Sequence, residues 1–243
     1  MNLLLFDAEE VSAARVTLPA ADRRAEHIVR VLRAGVGDVL RAGIVCGAHG
    51  SATVRALSAA GVTLELALEA QAPPPPARRL ALALPRPKAL TRVLAAAASF
   101  GLRQIALLNA WRVDKSYWSS PRLEPASVDA ALREGCEQGQ TTWLPAVRRE
   151  RLLMPYLEGL AAAPVEGLRL LADPRGESIE QVARAELARG ALVAIGPEGG
   201  WIEDELGAFE RAGFVAVSLG RPTLRSHDAV VAALAQLSLL ERL

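Results

Sequence analysis

Residues 73–76 are four prolines in a row, within the stretch Gln71 to Ala77. Proline lacks a backbone N–H, fixes φ and holds the residue before it extended, so this stretch can continue neither a helix nor a sheet interior. It predicts an extended spacer dividing the 243-residue chain into domains at 1–72 and 73–243. Ahead of it, the opening MNLLLF reads as a first strand, and apolar residues alternate through Val36 to Val45 and through Val54 to Leu68. Gly35, Gly37, Gly43, Gly47, Gly50 and Gly61 punctuate those runs, as in a small, turn-rich β domain. One helix is expected over residues 21–33, with Ile28, Val29 and Leu32 as its apolar stripe.

Behind the prolines the pattern changes. Apolar segments at 79–84, 104–109, 168–172, 191–195 and 214–218 alternate with segments of helical spacing, such as Leu90, Val93, Leu94, Ala97 and Val230, Leu234, Leu237. That alternation predicts an α/β layer with a mostly parallel sheet covered by helices on both faces. Asp173 to Gly176 has the residues of a type I turn, and Ser178 with Gln181 forms a capping box that predicts a helix start.

At 51% hydrophobic and 23% charged, the chain can bury a core and does not belong with disordered sequences. Its two cysteines, Cys46 and Cys136, have no metal-ligand spacing, which leaves no support for a disulfide framework or a zinc site. No apolar run approaches the ~20 residues of a membrane span, and the opening lacks a basic leader. A cytoplasmic protein that uses neither membrane nor metal is expected.

The net charge of +1 conceals an uneven distribution. Ala70 to Val113 contains no acid, yet carries Arg78, Arg79, Arg86, Lys88, Arg92, Arg103 and Arg112. Segment 15–33 adds Arg15, Arg23, Arg24, Arg30 and Arg33 against Asp22 and Glu26. Such clusters read either as an electrostatic footprint for a polyanion such as RNA or as a solvated surface.

Two loops can carry chemistry. The segment 191–195 runs into Gly196-Pro197-Glu198-Gly199-Gly200, a tight turn at a strand's carboxyl end, where α/β sheets bind ligands. It is neither a Walker loop nor a dinucleotide fingerprint, and Glu198, Glu203, Asp204 and Glu205 would repel a phosphate from the helix that follows. It is a cofactor loop, or its acids only stabilise that helix. The second loop, Leu219 to Ser226, puts Arg225 near a helix start, against the helix dipole. That position fits an anionic partner or an idle surface arginine.

Taken together, IGPEGGW at 195–201, SLGRPTLRS at 218–226, HIVRVLR at 27–33, PRPKAL at 85–90 and EGCEQ at 134–138 resemble the RsmE family. These are 16S ribosomal RNA uridine-N3 methyltransferases of the SPOUT superfamily, and the similarity runs through nearly the whole chain in order. The resemblance implies a PUA-like β-barrel RNA-binding domain followed by an α/β domain tied in a trefoil knot, acting as a homodimer on the small ribosomal subunit. S-adenosylmethionine would be the methyl donor and U1498 the expected uridine. Residues implied for the cofactor are Leu171, Ala172, Ile195, Gly196, Gly199, Gly200, Ser218, Leu219, Gly220, Leu224 and Arg225. Arg225, Glu198 and Arg86 would serve catalysis, and Arg24, His27, Arg30, Arg33, Lys88 and Arg92 the RNA. Glu137 and Gln138, matching the family's EQ pair, either line the site or cap a helix.

Two positions depart from the family pattern. Ser226-His227-Asp228-Ala229 stands where Thr-Glu-Thr-Ala is usual, and Ser99-Phe100-Gly101 where Glu-Leu-Gly is common. His227 could act as a base, or the change could mark another RNA target or a ribosome-assembly factor without catalysis.

Overall fold

The computed structural model describes residues 2–69, 77–164, 166–181, 187 and 189–242. The proline spacer, apart from Ala77, lies outside the described residues. The chain divides into two compact units, and the division does not follow a single cut in the sequence. Residues 133–144 cluster with 1–74, while 75–132 and 145–243 form the second unit.

The first unit is a five-stranded sheet in the order β1-β3-β4-β5-β2. The strands are β1 (Leu4–Phe6), β2 (Arg15–Pro19), β3 (Val39–Ile44), β4 (His49–Ser58) and β5 (Gly61–Leu68). β1 runs parallel to β3 and the other pairs are antiparallel. Alternation sends Val16, Leu18, Val62 and Leu64 inward, where they join Leu4, Phe6 and Ile28. The expected helix forms as α1 (Arg23–Glu26) continued by a π-helical segment, His27–Val31. Its predicted apolar stripe fails in part: Ile28 is buried, whereas Val29 and Leu32 are about half exposed. The cause is the wider turn, closed by Leu32 N–H donating to the His27 carbonyl five residues back, which rotates Leu32 away from the line of Ala25 and Ile28.

Arg24, expected on RNA, is spent inside this unit. Its guanidinium donates to Glu10, Asp22 and the Leu5 carbonyl at 2.6–3.1 Å and lies 5.0 Å from the Phe6 ring centroid. Glu137 is likewise committed within this unit. It is 2% exposed and accepts hydrogen bonds from Nη1 and Nη2 of Arg23, at 2.8 and 2.6 Å. Arg133 to Asp7, the Asn2 amide to the Gln138 carbonyl, and the Thr142 hydroxyl to the Gly47 carbonyl tie the rest of 133–144 to the same sheet.

The Arg24 cluster makes stability depend on pH. Hydrogen bonding to Arg24 lowers the Glu10 pKa against the opposing effect of burial. Burial is the largest influence on Asp22 and raises its pKa, but Arg24's side-chain and backbone hydrogen bonds prevail and the net shift is downward. Carboxyls lowered in the folded state stabilise it above their unfolded values, 4.5 and 3.8, and lose that contribution as pH falls through the folded ones. Arg24→Ala is expected to cost about 2 kcal/mol at neutral pH by leaving the half-buried Asp22 and the more exposed Glu10 without their partner. Thermal unfolding of both proteins should show the gap narrowing below about pH 4.

The second unit carries a six-stranded sheet, all parallel, in the order β11-β9-β10-β6-β7-β8. In chain order its elements are β6 (Arg78–Ala83), α2 (Pro87–Ser99), β7 (Gln104–Leu108), α3 (Pro125–Gly139), β8 (Ala146–Glu150), α4 (Leu153–Ala162), β9 (Leu168–Ser178), β10 (Ala191–Ile195), α5 (Glu203–Arg211), β11 (Val215–Ser218) and α6 (Ser226–Leu240). α3 belongs to this unit only up to Leu132. β10 is buried along its whole length, as a strand covered on both faces requires. α2 packs on α6, and α4 on α5.

Two expectations change here. Asp173 to Gly176 is not a turn between elements. Residues 172–176 are an excursion within β9, lying between the pairs Leu171–Ala216 and Glu177–Val217 of the β9–β11 ladder. Ser178 closes that strand, and Ile179–Gln181 is a short 3-10 turn. The residues that would continue the helix expected there, 182–186, lie outside the described ones.

Candidate functional site

β11, β9 and β10 are neighbours in the sheet, and each is followed or interrupted at its carboxyl side by a loop. The three loops enclose a cavity of about 300 Å³. The first is the β9 excursion, shaped by Asp173, whose Oδ1 accepts the Arg175 backbone N–H at 2.8 Å. Arg175 also bridges Asp173 and Glu203, and its hydrogen bonds lower the Asp173 pKa despite burial. The second begins at Gly196, where Pro197 can donate nothing to a ladder and the Gly200 N–H closes a turn onto the Pro197 carbonyl at 2.8 Å. Gly200 has φ +74°, a conformation that favours glycine. The third, Leu219 to Leu224, is held by α6, whose Gln236 amide donates to the Leu219 carbonyl at 3.0 Å.

Backbone comes close to the cavity because side chains are missing where they would obstruct. A Cβ on Gly196 would lie 2.9 Å from Trp201 Nε1, and one on Gly199 would lie 3.0 Å from Arg112 Cδ. The Arg112 guanidinium donates to the Gly199 carbonyl. Trp201 is 8% exposed and packs against Phe209 with ring centroids 4.7 Å apart and the planes tilted by 59°. Its Nε1 is buried without a hydrogen-bond partner among the described residues, a donor at the wall of the cavity.

Of the residues implied for a cofactor, Ala172, Ile195, Gly196, Gly199, Gly200, Leu219, Gly220 and Leu224 line this cavity. Leu171, Ser218 and Arg225 do not; Leu171 is buried in the β9 ladder, and the Ser218 hydroxyl accepts the Gly220 N–H at 3.3 Å. Asp173, Pro174, Trp201, Pro222, Thr223, Ser226 and Ala229 also contribute. Trp201 was legible as the last residue of IGPEGGW, but nothing in that run said its ring would form a wall.

Arg86 and Glu198 meet. Arg86 lies just before α2, and its Nε is 2.7 Å from Glu198 Oε2, with both side chains substantially exposed. Glu198 lines the cavity, so the pair sits at its rim. Glu203, Asp204 and Glu205 turn elsewhere: Glu203 to Arg175, and Glu205, 2% exposed, to the backbone N–H groups of Trp111 and Ile202 at 2.7 and 3.0 Å. Arg225 precedes α6, exposed and with no side-chain partner among the described residues. His227 Nδ1 lies 3.2 Å from Asp228 Oδ1, outside the cavity lining. Lys88 and Arg92 are exposed four residues apart on α2, while Arg30 pairs with Glu26 and Arg33 is exposed at φ +52°. His27 Nε2 is buried without a partner among the described residues.

No helix among the described residues is long and apolar enough to cross a membrane. No group of three or more His, Cys, Asp or Glu among them could hold a metal ion.

Residues 73–238 match the family described as RNA methyltransferase domain. Over 97% of this chain and 90% of the relative, the sequence is 32% identical to the ribosomal RNA small subunit methyltransferase E of Treponema pallidum. With a second such protein, from Borreliella burgdorferi, identity is 24% over 96% of this chain and 95% of the relative. Among solved structures, the ribosomal RNA small subunit methyltransferase E of Neisseria gonorrhoeae bound to S-adenosyl methionine superimposes with a TM-score of 0.75 at 22% identity, covering 99% of this chain and 98% of that one. A Legionella pneumophila methyltransferase with bound SAM gives 0.74 at 21%, covering 98% and 97%. At these identities the structural likeness speaks for the fold.

Proposed function

From the premise that this chain belongs to the RsmE family of RNA methyltransferases, we propose that it methylates N3 of one uridine in 16S rRNA of the small ribosomal subunit, using S-adenosylmethionine. The observation that carries the reading is the glycine-floored cavity at the carboxyl ends of three adjacent parallel strands, with an arginine–carboxylate pair at its rim. The cofactor fits it. The floor has no Cβ at Gly196, Gly199, Gly200 or Gly220, the volume suits a small ligand, and the buried Trp201 N–H lacks an acceptor among the described residues. Ile195, Gly196, Leu219 and Leu224 would hold the adenosine, and Asp173 and Glu198 would face the positive sulfonium.

The bound cofactor supplies an electrophilic methyl group. The chain's task is the uridine N3 proton, which is only weakly acidic and whose loss spreads negative charge onto O2 and O4. Glu198 accepts that proton, and Arg86, already 2.7 Å from its carboxylate, faces the charge that develops. Arg225, cationic and unpaired among the described residues, stabilises the same anion from the loop after β11. Lys88, Arg92, Arg30 and Arg33 dock the RNA backbone, the first unit being a PUA-like RNA-binding domain and the second a SPOUT-type trefoil-knot domain that pairs with a second copy. Support for the knot is the convergence of the β9, β10 and β11 loops under a C-terminal helix whose Ser226 hydroxyl reaches the Gly196 carbonyl at 3.5 Å.

The direct test is methyl transfer from labelled S-adenosylmethionine to small subunits lacking the modification, with the product nucleotide identified by mass spectrometry. N3-methyluridine at one site, expected at U1498, is the predicted result. Subunit binding without transfer would sink the reading in favour of an assembly factor and implicate the Ser226-His227-Asp228 departure.

A further inference from the structure

Beside the cofactor cavity the second unit has another concavity, a cleft of about 590 Å³. It opens where β7 and β8 end, between the segment from Asn109 to Lys115 and the segment from Arg151 to Pro155. In it the Trp111 side chain is 79% exposed, although its backbone N–H is fixed by buried Glu205. Lys115 and Arg151 bring two cations to the same cleft, the Arg151 guanidinium lying 5.2 Å from the Trp118 ring centroid. The two concavities share a wall. Trp201 lines the first and Ile202 the second, and Arg112, next to Trp111, holds the Gly199 carbonyl.

We propose that this cleft holds a nucleotide of the substrate RNA strand, its base stacked on Trp111 and its phosphate met by Lys115 and Arg151. This rests on the RNA methyltransferase reading above, and it assigns to the substrate residues that no motif in the sequence singled out. An indole left in water in a cleft that two cations also line matches single-stranded RNA, whose bases stack on aromatic rings while arginine and lysine meet the backbone. Methyl transfer requires the target base to enter the first cavity, and the cleft across that wall is then the place for a neighbouring nucleotide of the same strand. Two acids line it. Glu205 has its oxygens committed to two backbone N–H groups, and Asp204, in the first turn of α5, offers an acceptor to a base N–H. The exposed Leu152 and the Met154 beside it make contact with a second copy the rival occupant.

The experiment compares wild type, Trp111→Ala and Trp111→Phe as full-length chains, with small subunits lacking the modification as the varied substrate. Trp111→Ala should raise the KM for RNA about ten-fold, at nearly unchanged kcat and S-adenosylmethionine affinity, and Trp111→Phe should recover most of the loss. Lys115→Ala and Arg151→Ala should each flatten the salt dependence of RNA binding. An unchanged KM in Trp111→Ala, with wild type active, overturns the cleft's role and leaves the enzymatic reading standing. Loss of self-association in Trp111→Ala, read by light scattering, overturns it in favour of a contact between copies. A wild type that transfers no methyl group overturns both.

Discussion

Glu198→Gln is expected to lower kcat by about 10²–10³-fold while changing S-adenosylmethionine affinity only a few-fold. The substitution keeps the size and most of the hydrogen bonding of the side chain but removes its capacity to take a proton. Because Glu198 is 43% exposed and paired with an Arg86 that is 67% exposed, the pair contributes little to folding, and the variant should fold as wild type does. Arg86→Ala should also reduce kcat. The double variant should fall well short of the product of the two losses, since residues that act as a unit do not add. Single-turnover rates on small subunits, with calorimetry for the cofactor, separate these effects. Wild-type turnover in Glu198→Gln would reduce the residue to closing its own turn.

Gly176→Ala should be the most damaging small substitution near the cavity. A Cβ at this position would stand 2.4 Å from the Val217 backbone nitrogen and 2.5 Å from the Ala216 carbonyl carbon. Neither is the movable end of a side chain, so β9 and β11 must separate where their register already jumps. A loss of about 3 kcal/mol is expected, or a Tm lower by about 6–12 °C. Cofactor affinity should fall with it, because the displaced excursion carries Ala172, Asp173 and Pro174 of the cavity wall. Gly159→Ala, in α4 with nothing within 4 Å of the added carbon, is the control and should be neutral or slightly stabilising. Equal melting of the two variants would mean that β9 and β11 do not approach this closely.

What could be read from the sequence follows from how burial writes itself into composition. β10, buried on both faces, spells Ala-Leu-Val-Ala-Ile and was found at its observed bounds. β8 was missed because it lies at the sheet edge and reads Ala-Val-Arg-Arg-Glu, mostly exposed, with no apolar signal to give. The glycine loops were legible because close approach of backbone demands glycine, whereas Trp111 was not. An exposed ring leaves no periodicity, and its place beside the glycine-floored cavity comes from the pairing of strands far apart in the chain. Arg24 shows the reverse error. Its basic run suggests a polyanion footprint or a solvated face, but three residues of the sheet edge and its turns, Glu10, Asp22 and Leu5, claim its guanidinium.

The return of residues 133–144 to the first unit bears on how this protein can be taken apart. A fragment beginning just after the prolines would keep Glu137 but lose Arg23, and would keep Arg133 but lose Asp7. The reciprocal fragment would leave those partners unanswered and the Gly47 carbonyl without Thr142. Dissection at the spacer therefore divides the sequence where its composition changes but not where its interactions end. A self-sufficient first domain would need the 133–144 segment grafted back or supplied in trans.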